Sequence, residues 1–218
     1  ITLAVPKCLV EINKEPLLEN WINKLEAIGV EKILINTHYL SEKVDSFLNK
    51  KYKNNKKIQK IYEDQLLGTA GTLIANRDFF NDSICIMIHA DNFTYMGLKD
   101  LIKAHNKKPK NCLMTMLTFT SNDPKSCGIV EVDNKGILIN FHEKVENPPG
   151  EMANGAVYVF DNEFLDWIFE NHRKAKDFSK EILPFLNGKI YTYHTKMPYL
   201  DIGTPPNLKE ARSLKNKK

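Results

Sequence analysis

No stretch of this 218-residue chain approaches the roughly 20 consecutive apolar residues that a membrane-spanning helix needs, and no secretion-signal pattern opens it. A helical membrane protein is therefore not expected, and a cytoplasmic location is. Cysteine is sparse: Cys8, Cys85, Cys112 and Cys127 stand without any C-x-x-C pair, three of them inside strand-like apolar runs, and they are read as reduced. Extremes of composition are missing too. Hydrophobic residues at 42% and charged residues at 27% exclude a disordered or fibrous chain, and a net charge of +4 suits anionic small substrates without identifying one. The lysines at 50, 51, 53, 56, 57 and 60 lack the interleaved aromatics of a single-strand platform, so they read as a solvated helix end and no nucleic-acid partner is expected. Neither tandem repeats nor linkers interrupt the chain, which has the length of a single domain with a continuous core.

What is present is an alternation. Leu17, Leu18, Trp21, Ile22, Leu25 and Ile28 recur at helical spacing after Pro16, with Gly29 as the stop. Residues 32–37 then read as a strand, a polar helix starts at Ser41, and residues 58–63 read as the next strand. Residues 68–80 form a loop running into a helix, and 83–89 a nearly continuous apolar strand of the kind buried on both faces. Residues 98–105 (helix) and 112–120 (strand) complete a pattern that predicts an α/β fold with a parallel, doubly wound sheet. Thereafter residues 128–132, a turn at 133–136 and 137–144 read as a hairpin, followed by a strand at 153–160. Helices at 164–169, 180–186 and 206–214 and a strand at 190–194 fill the remainder.

Several residues carry chemistry that either of two readings explains. Asp91 directly follows the apolar strand, where open parallel sheets place their ligand crevice, although a strand-ending Asp is also a common turn former. Asp201 precedes Gly-Thr-Pro, in which Thr204 is a helix cap, and Asp201 lies too far upstream to share that role. Two such carboxylates suit Mg²⁺, which takes one or two of them plus phosphate oxygens. Lys7 stands beside an apolar segment, where a lysine snorkels unless it meets an anion. Gly68-Thr69-Ala70-Gly71 opens a helix with amides exposed to a base or phosphate, the Glu143-Lys144 pair ends the hairpin, and Asn154-Gly155 reads locally as a turn.

The order of these pieces resembles the sugar-1-phosphate nucleotidyltransferases over essentially the whole chain. Thr2, Pro6, Lys7, Leu9 and Ile12 fall where that family has Thr and then Pro-Lys-x-Leu-x-x-Ile; residues 63–73 resemble its base-recognition segment, and His89-Ala90-Asp91-Asn92 its Gly-Asp-x segment, with His89 a departure. Cys127-Gly128-Ile129-Val130 is similar to Tyr-Gly-x-Val with the aromatic replaced, Phe141-His142-Glu143-Lys144 matches Phe-x-Glu-Lys, residues 153–158 resemble Asn-x-Gly-x-Tyr variants, and residues 201–205 match strongly. Residues 177–184 resemble the segment that follows the sugar lobe, with no chemistry attached.

The resemblance implies a Rossmann-like fold with a small hairpin lobe for the sugar. It implies Asp91 and Asp201 as ligands of Mg²⁺, Lys7 beside the phosphates, and Gln65, Gly68 and Thr69 at the nucleotide. Gly128, Glu143, Lys144 and Asn154 would meet the sugar 1-phosphate. The family's glycine loop, which holds the triphosphate and an arginine, is expected in a strand and loop of about 15 residues ahead of Ile1, where the chain starts without methionine. The Leu-Gly-Thr-Ala-Gly segment looks most like guanylyltransferases acting on mannose or heptose 1-phosphate, while uridylyl, thymidylyl and cytidylyl transfer stay open. A silent nucleotide-sugar-binding or regulatory subunit on the same fold competes with the enzyme, although retention of both aspartates argues against it. A glycosyltransferase would favour an Asp-x-Asp motif, which is absent near Asp91. Self-association into a homo-oligomer is compatible with the sequence.

Overall fold

Helical spacing and short apolar runs set the order of elements. In the computed structural model, which describes residues 4–80 and 84–214, a 3₁₀ turn at Lys7–Leu9 precedes β1 (Glu11–Ile12), β2 (Glu15–Pro16), α1 (Leu17–Glu26), β3 (Ile33–Thr37), α2 (Ser41–Tyr52) and β4 (Ile58–Tyr62). Then come α3 (Gly68–Ala75), β5 (Cys85–Ile88), β6 (Asn92–Thr94), α4 (Lys99–Asn106), β7 (Met114–Thr120), β8 (Gly128–Val132), β9 (Leu138–Glu143) and β10 (Met152–Phe160). The last elements are α5 (Asn162–Asn171), α6 (Phe178–Glu181), β11 (Ile190–His194), β12 (Tyr199–Asp201) and α7 (Pro205–Ser213). Thr2, Ser83 and the Lys-rich tail lie outside the described residues.

These elements fall into two compact units. The first takes residues up to 66, 90–98 and those from 198 on. The apolar stripe of α1 buries Leu17, Leu18, Trp21 and Ile22, and Gly29, in the left-handed region at φ +79, ends the helix by donating its N–H to Glu26 O at 3.0 Å. Strands β3 and β4 pair in parallel from Ile33↔Ile58 to Thr37↔Tyr62. Leu18, Ile22, Ile33, Val44 and Leu48 form one core cluster, and Val10, Ile12, Leu17, Phe93, Ile202 and Ala211 another. Between Ile12 and Glu15 the chain turns back through Asn13 and Lys14, both at positive φ, closing the small β1–β2 ladder. Helix α2 starts at Ser41 as expected, behind Leu40 in the left-handed region at φ 53.

The second unit comprises residues 67–89 and 99–197, built on β10. One edge of β10 pairs with β7; its other edge is shared, Ala153 facing Ile129 of β8 and Val157–Phe160 pairing with β5. All three pairings are antiparallel, whereas β11 runs parallel to β7 from Ile190↔Met114 to His194↔Thr118. So β5, β7, β8 and β11 share one direction, and β9 and β10 run against them in a mixed sheet. The β8–β9 hairpin forms as expected and reaches β11, where Thr192 N–H donates to Gly136 O at 2.8 Å and Ile137 bridges Tyr191. Tyr158, Phe160, Phe164 and Phe178, each fully buried, centre the core of this unit.

Three local expectations change. Residues 180–186 do not form one helix: α6 stops at Glu181 and a 3₁₀ turn covers Leu183–Leu186, since Pro184 has no N–H to continue an α-helical ladder. Asn154-Gly155 lies inside β10 rather than at a turn, where the register against β7 shifts between Asn154 and Tyr158 and Ala156 adopts φ 50. In β5 only Cys85 is fully buried, Ile86 to Ile88 being half-buried.

His105 of α4 is 3% exposed, with Nδ1 3.1 Å from Thr115 Oγ1, while Lys108 Nζ lies 3.1 Å from Asp161 Oδ2. Burial first, then the Lys108 charge, pushes the imidazole pKa from 6.5 down to about 4 against the pull of Asp161. The unfolded chain therefore binds a proton that the folded one refuses between those values, and stability falls as pH drops from about 6.5 to about 4, by on the order of 3 kcal/mol. Denaturant titrations across this range should show that loss in the wild type and a flatter profile in His105→Gln.

Candidate active site

In the first unit, Asp91 and Asp201 are brought together by a ladder too short to read from the sequence. Strand β12 pairs antiparallel with β6, Asp201 opposite Asn92, and the Ile202 N–H donates to the Asp91 carbonyl at 3.3 Å. The Trp21 indole fixes the same spot by donating to Asn92 O at 2.9 Å. Lys7 Nζ stands 3.3 Å from Asp91 Oδ2. Asp201 Oδ1 accepts the Gly203 N–H at 2.7 Å, and the Asp201 carbonyl accepts Asn207 Nδ2 at 2.8 Å. A Cβ on Gly203 would sit 3.0 Å from Asp201 Oδ1 and 3.6 Å from Lys7 Nζ, so the Gly203 backbone lies against both the Asp201 carboxylate and the Lys7 ammonium. Thr204 caps α7 through the Asn207 N–H, as expected of it. Burial above all, with a push from the Asp91 charge, raises the adjacent Cys8 thiol to about 11 and keeps it neutral.

The Asp91 and Asp201 carboxylates, with no group of three or more His, Cys, Asp or Glu placed to hold a metal among the described residues, offer oxygen donors alone. Such a set fits a hard cation that completes its shell with phosphate oxygens and water, and does not fit a soft metal wanting thiolate or imidazole.

The second unit gathers the hairpin residues. Gly128 faces Glu143 in the β8–β9 register, and a Cβ there would lie 2.6 Å from the Phe141 ring and 2.8 Å from Glu143 Oε2. Lys144 follows at φ 49 with its N–H on the Cys127 carbonyl and its side chain exposed. Asn154 Nδ2 donates to the Tyr158 hydroxyl at 2.7 Å. Burial pushes the Glu143 pKa up, aided by Asp177, while Lys144 and Lys180 pull it back. Gly128, Glu143 and Lys144 are thus adjacent, and Asn154 is paired with Tyr158. Sequence reasoning missed Tyr158 as a partner of Asn154, because that pairing depends on a bulge with no sequence period.

At the start of α3, Gly68 adopts φ +80, Thr69 is exposed, and in the first unit Gln65 is exposed too. The amides of Ala70 and Gly71 do not point to open space; both donate to the Lys176 carbonyl, at 2.9 and 3.5 Å.

A family model described as nucleotidyl transferase matches residues 1–218. The chain belongs to that family. It is 24% identical over 209 residues to a mannose-1-phosphate guanylyltransferase of Mycobacterium tuberculosis, covering 94% of this chain and 57% of that protein. It is equally 24% identical over 227 residues to a UTP–glucose-1-phosphate uridylyltransferase of Synechocystis, covering 97% and 58%. The chain thus spans less than two thirds of the curated relatives it matches. Among solved structures, HddC from Yersinia pseudotuberculosis superposes with a TM-score of 0.80 at 22% identity, over 97% of this chain and 91% of that one, a likeness of fold. No helix among the described residues of this nucleotidyl transferase is long and apolar enough to cross a membrane.

Since any side chain at position 128 must displace either the Phe141 ring or the Glu143 carboxylate, Gly128→Ala is expected to cost about 1–3 kcal/mol of stability, the usual range for overpacking. A urea titration measures it; a midpoint equal to wild type would show that hairpin and ring yield freely.

Proposed function

We propose that this protein transfers a nucleotidyl group from a nucleoside triphosphate, GTP before the others, to a sugar 1-phosphate of the mannose or heptose type, releasing pyrophosphate in the cytoplasm. One arrangement carries the reading: Lys7 Nζ stands 3.3 Å from Asp91 Oδ2, and the β6–β12 ladder brings Asp201 to the main chain of Asp91. Magnesium held by Asp91 and Asp201 would neutralise and polarise phosphate oxygens. A sugar-phosphate oxygen attacks the α-phosphorus in line, forming the new O–P bond as the bond to the β-phosphate oxygen breaks and pyrophosphate leaves. The attacking oxygen is already an anion, so no residue need accept a proton. The task of the protein is to hold anions together and in line. Lys7 offsets their repulsion at the nucleotide, and Lys144 holds the sugar phosphate. Glu143 and Asn154 take sugar hydroxyls, the Gly128 backbone lies against the sugar, and Gln65, Gly68 and Thr69 meet the base.

GTP is favoured by the Leu-Gly-Thr-Ala-Gly segment and by the guanylyltransferase of M. tuberculosis, whereas the uridylyltransferase of Synechocystis stands at the same identity. Pyrophosphate release measured with GTP, UTP, dTTP and CTP against mannose, heptose and glucose 1-phosphates should give GTP the highest kcat/KM. A preference for UTP would keep the reaction and overturn the base.

Asp91→Asn and Asp201→Asn should each lower kcat by about 100-fold or more without altering the thermal midpoint, and chelation of Mg²⁺ should abolish turnover reversibly. Wild-type turnover in Asp91→Asn would remove that carboxylate from the mechanism.

A further inference from the structure

The strand register of the second unit sets residues from five strands side by side. Glu143 of β9 lies opposite Gly128 of β8, and the Ala153↔Ile129 pair of β10 and β8 puts Asn154 next to Gly128. Asn154 lies opposite Thr118 of β7, and Thr118 opposite His194 of β11. Residues paired across a ladder project from the same face of a sheet. Glu143, Gly128, Asn154, Thr118 and His194 therefore form one row, with Met114, Met116 and Ile190 of the buried core further along the same face. Three of the five are the residues assigned to the sugar 1-phosphate, and Thr118 and His194 extend their row by two strands.

This extension is a built group. His194 Nδ1 lies 3.3 Å from Thr118 Oγ1 and its Nε2 3.3 Å from Thr120 Oγ1, so two hydroxyls of β7 fix the ring through both nitrogens. Thr118 is fully buried, whereas His194 and Thr120 are exposed. Partial burial, then the Lys196 charge, lowers the imidazole pKa, which keeps the ring neutral near pH 7 with one nitrogen donating and the other accepting. A neutral imidazole beside a hydroxyl suits a polyol rather than a phosphate. Spacing decides which polyol. Neighbouring strands stand about 4.8 Å apart, so His194 is about 10 Å along the row from Asn154, and Glu143 about 10 Å the other way. A hexose ring held at Glu143 and Asn154 leaves the His194 end unused; a sugar with hydroxyls on a longer chain outside the ring reaches it.

We propose that His194 and Thr120 are specificity-determining residues for a seven-carbon sugar 1-phosphate, taking the hydroxyls of its exocyclic chain beyond the ring held at Asn154. The inference rests on the nucleotidyl-transfer reading and narrows its acceptor from mannose or heptose to the heptose class.

The test compares two acceptors that share a ring, mannose 1-phosphate and the manno-heptose 1-phosphate that differs by one added carbon on the exocyclic chain, with one nucleotide throughout. The wild type should show the higher kcat/KM with the heptose. His194→Ala should lower the heptose-to-mannose ratio of kcat/KM about tenfold, the size of one lost hydrogen bond, and Thr120→Val should lower it in the same direction. His194→Gln, which keeps a donor and an acceptor, should recover part of the ratio. An unchanged ratio in His194→Ala, or a wild type that prefers mannose, would overturn the inference and leave the transfer reaction standing. An equal loss with both acceptors would make His194 a structural residue and overturn it too. A wild type that releases pyrophosphate from no nucleotide and sugar-phosphate pair would instead overturn the reaction, and the inference with it.

Discussion

Everything proposed for the first unit depends on a three-residue antiparallel ladder. Strands β6 and β12 are distant in the chain, and their pairing, extended by the Ile202 N–H on the Asp91 carbonyl, is what brings the main chain of Asp91 and Asp201 together, with Lys7 on Asp91. So short a ladder has little stability of its own. It persists because Phe93 and Ile202 are buried with Val10, Ile12, Leu17 and Ala211, and because the Trp21 indole binds the backbone at Asn92. The apolar stripe of α1 thereby serves the polar site: Leu17 fills the cluster under the ladder and Trp21 fastens its edge.

Asp201 is oriented by the same economy of short contacts. Its carboxylate takes the Gly203 amide and its carbonyl takes the Asn207 side chain, so the residue is bound to the start of α7, whose first turn Thr204 caps. A carboxylate held in this way keeps its direction without a neighbouring cation. Lys7 is then available to neutralise charge from Asp91 and from anions that approach it.

The legible part of the fold is the part with a period. The stripe of α1, the β8–β9 hairpin and the strand at residues 190–194 all appear where alternation or helical spacing puts them. Strands β6 and β12 carry no period at all, since Asn-Phe-Thr and Tyr-Leu-Asp are too short to show one and their pairing is decided by packing far along the chain. For the same reason Asp91 and Asp201 could be singled out individually, while their meeting could not be derived from spacing. Asn154-Gly155 misleads locally: the dipeptide favours a turn, but β7 and β5 on its flanks hold it in a strand, and the strain is released as a bulge at Ala156.

Both units use glycine to the same end. At Gly203 the missing Cβ leaves room between Asp201 and Lys7, and at Gly128 it lets the Glu143 carboxylate and Phe141 ring lie against the backbone. Gly68 differs in admitting another main chain, the Lys176 carbonyl, so its cost is borne for docking one segment on another rather than for seating a side chain. This difference explains why Gly68 and Thr69, which in sequence look like an open anion-binding turn, have amides downstream already committed to protein. A glycine-rich helix start advertises close approach, and only the partner found there decides whether ligand or backbone makes it. Here the backbone does, at Ala70 and Gly71, whose amides both end on the Lys176 carbonyl.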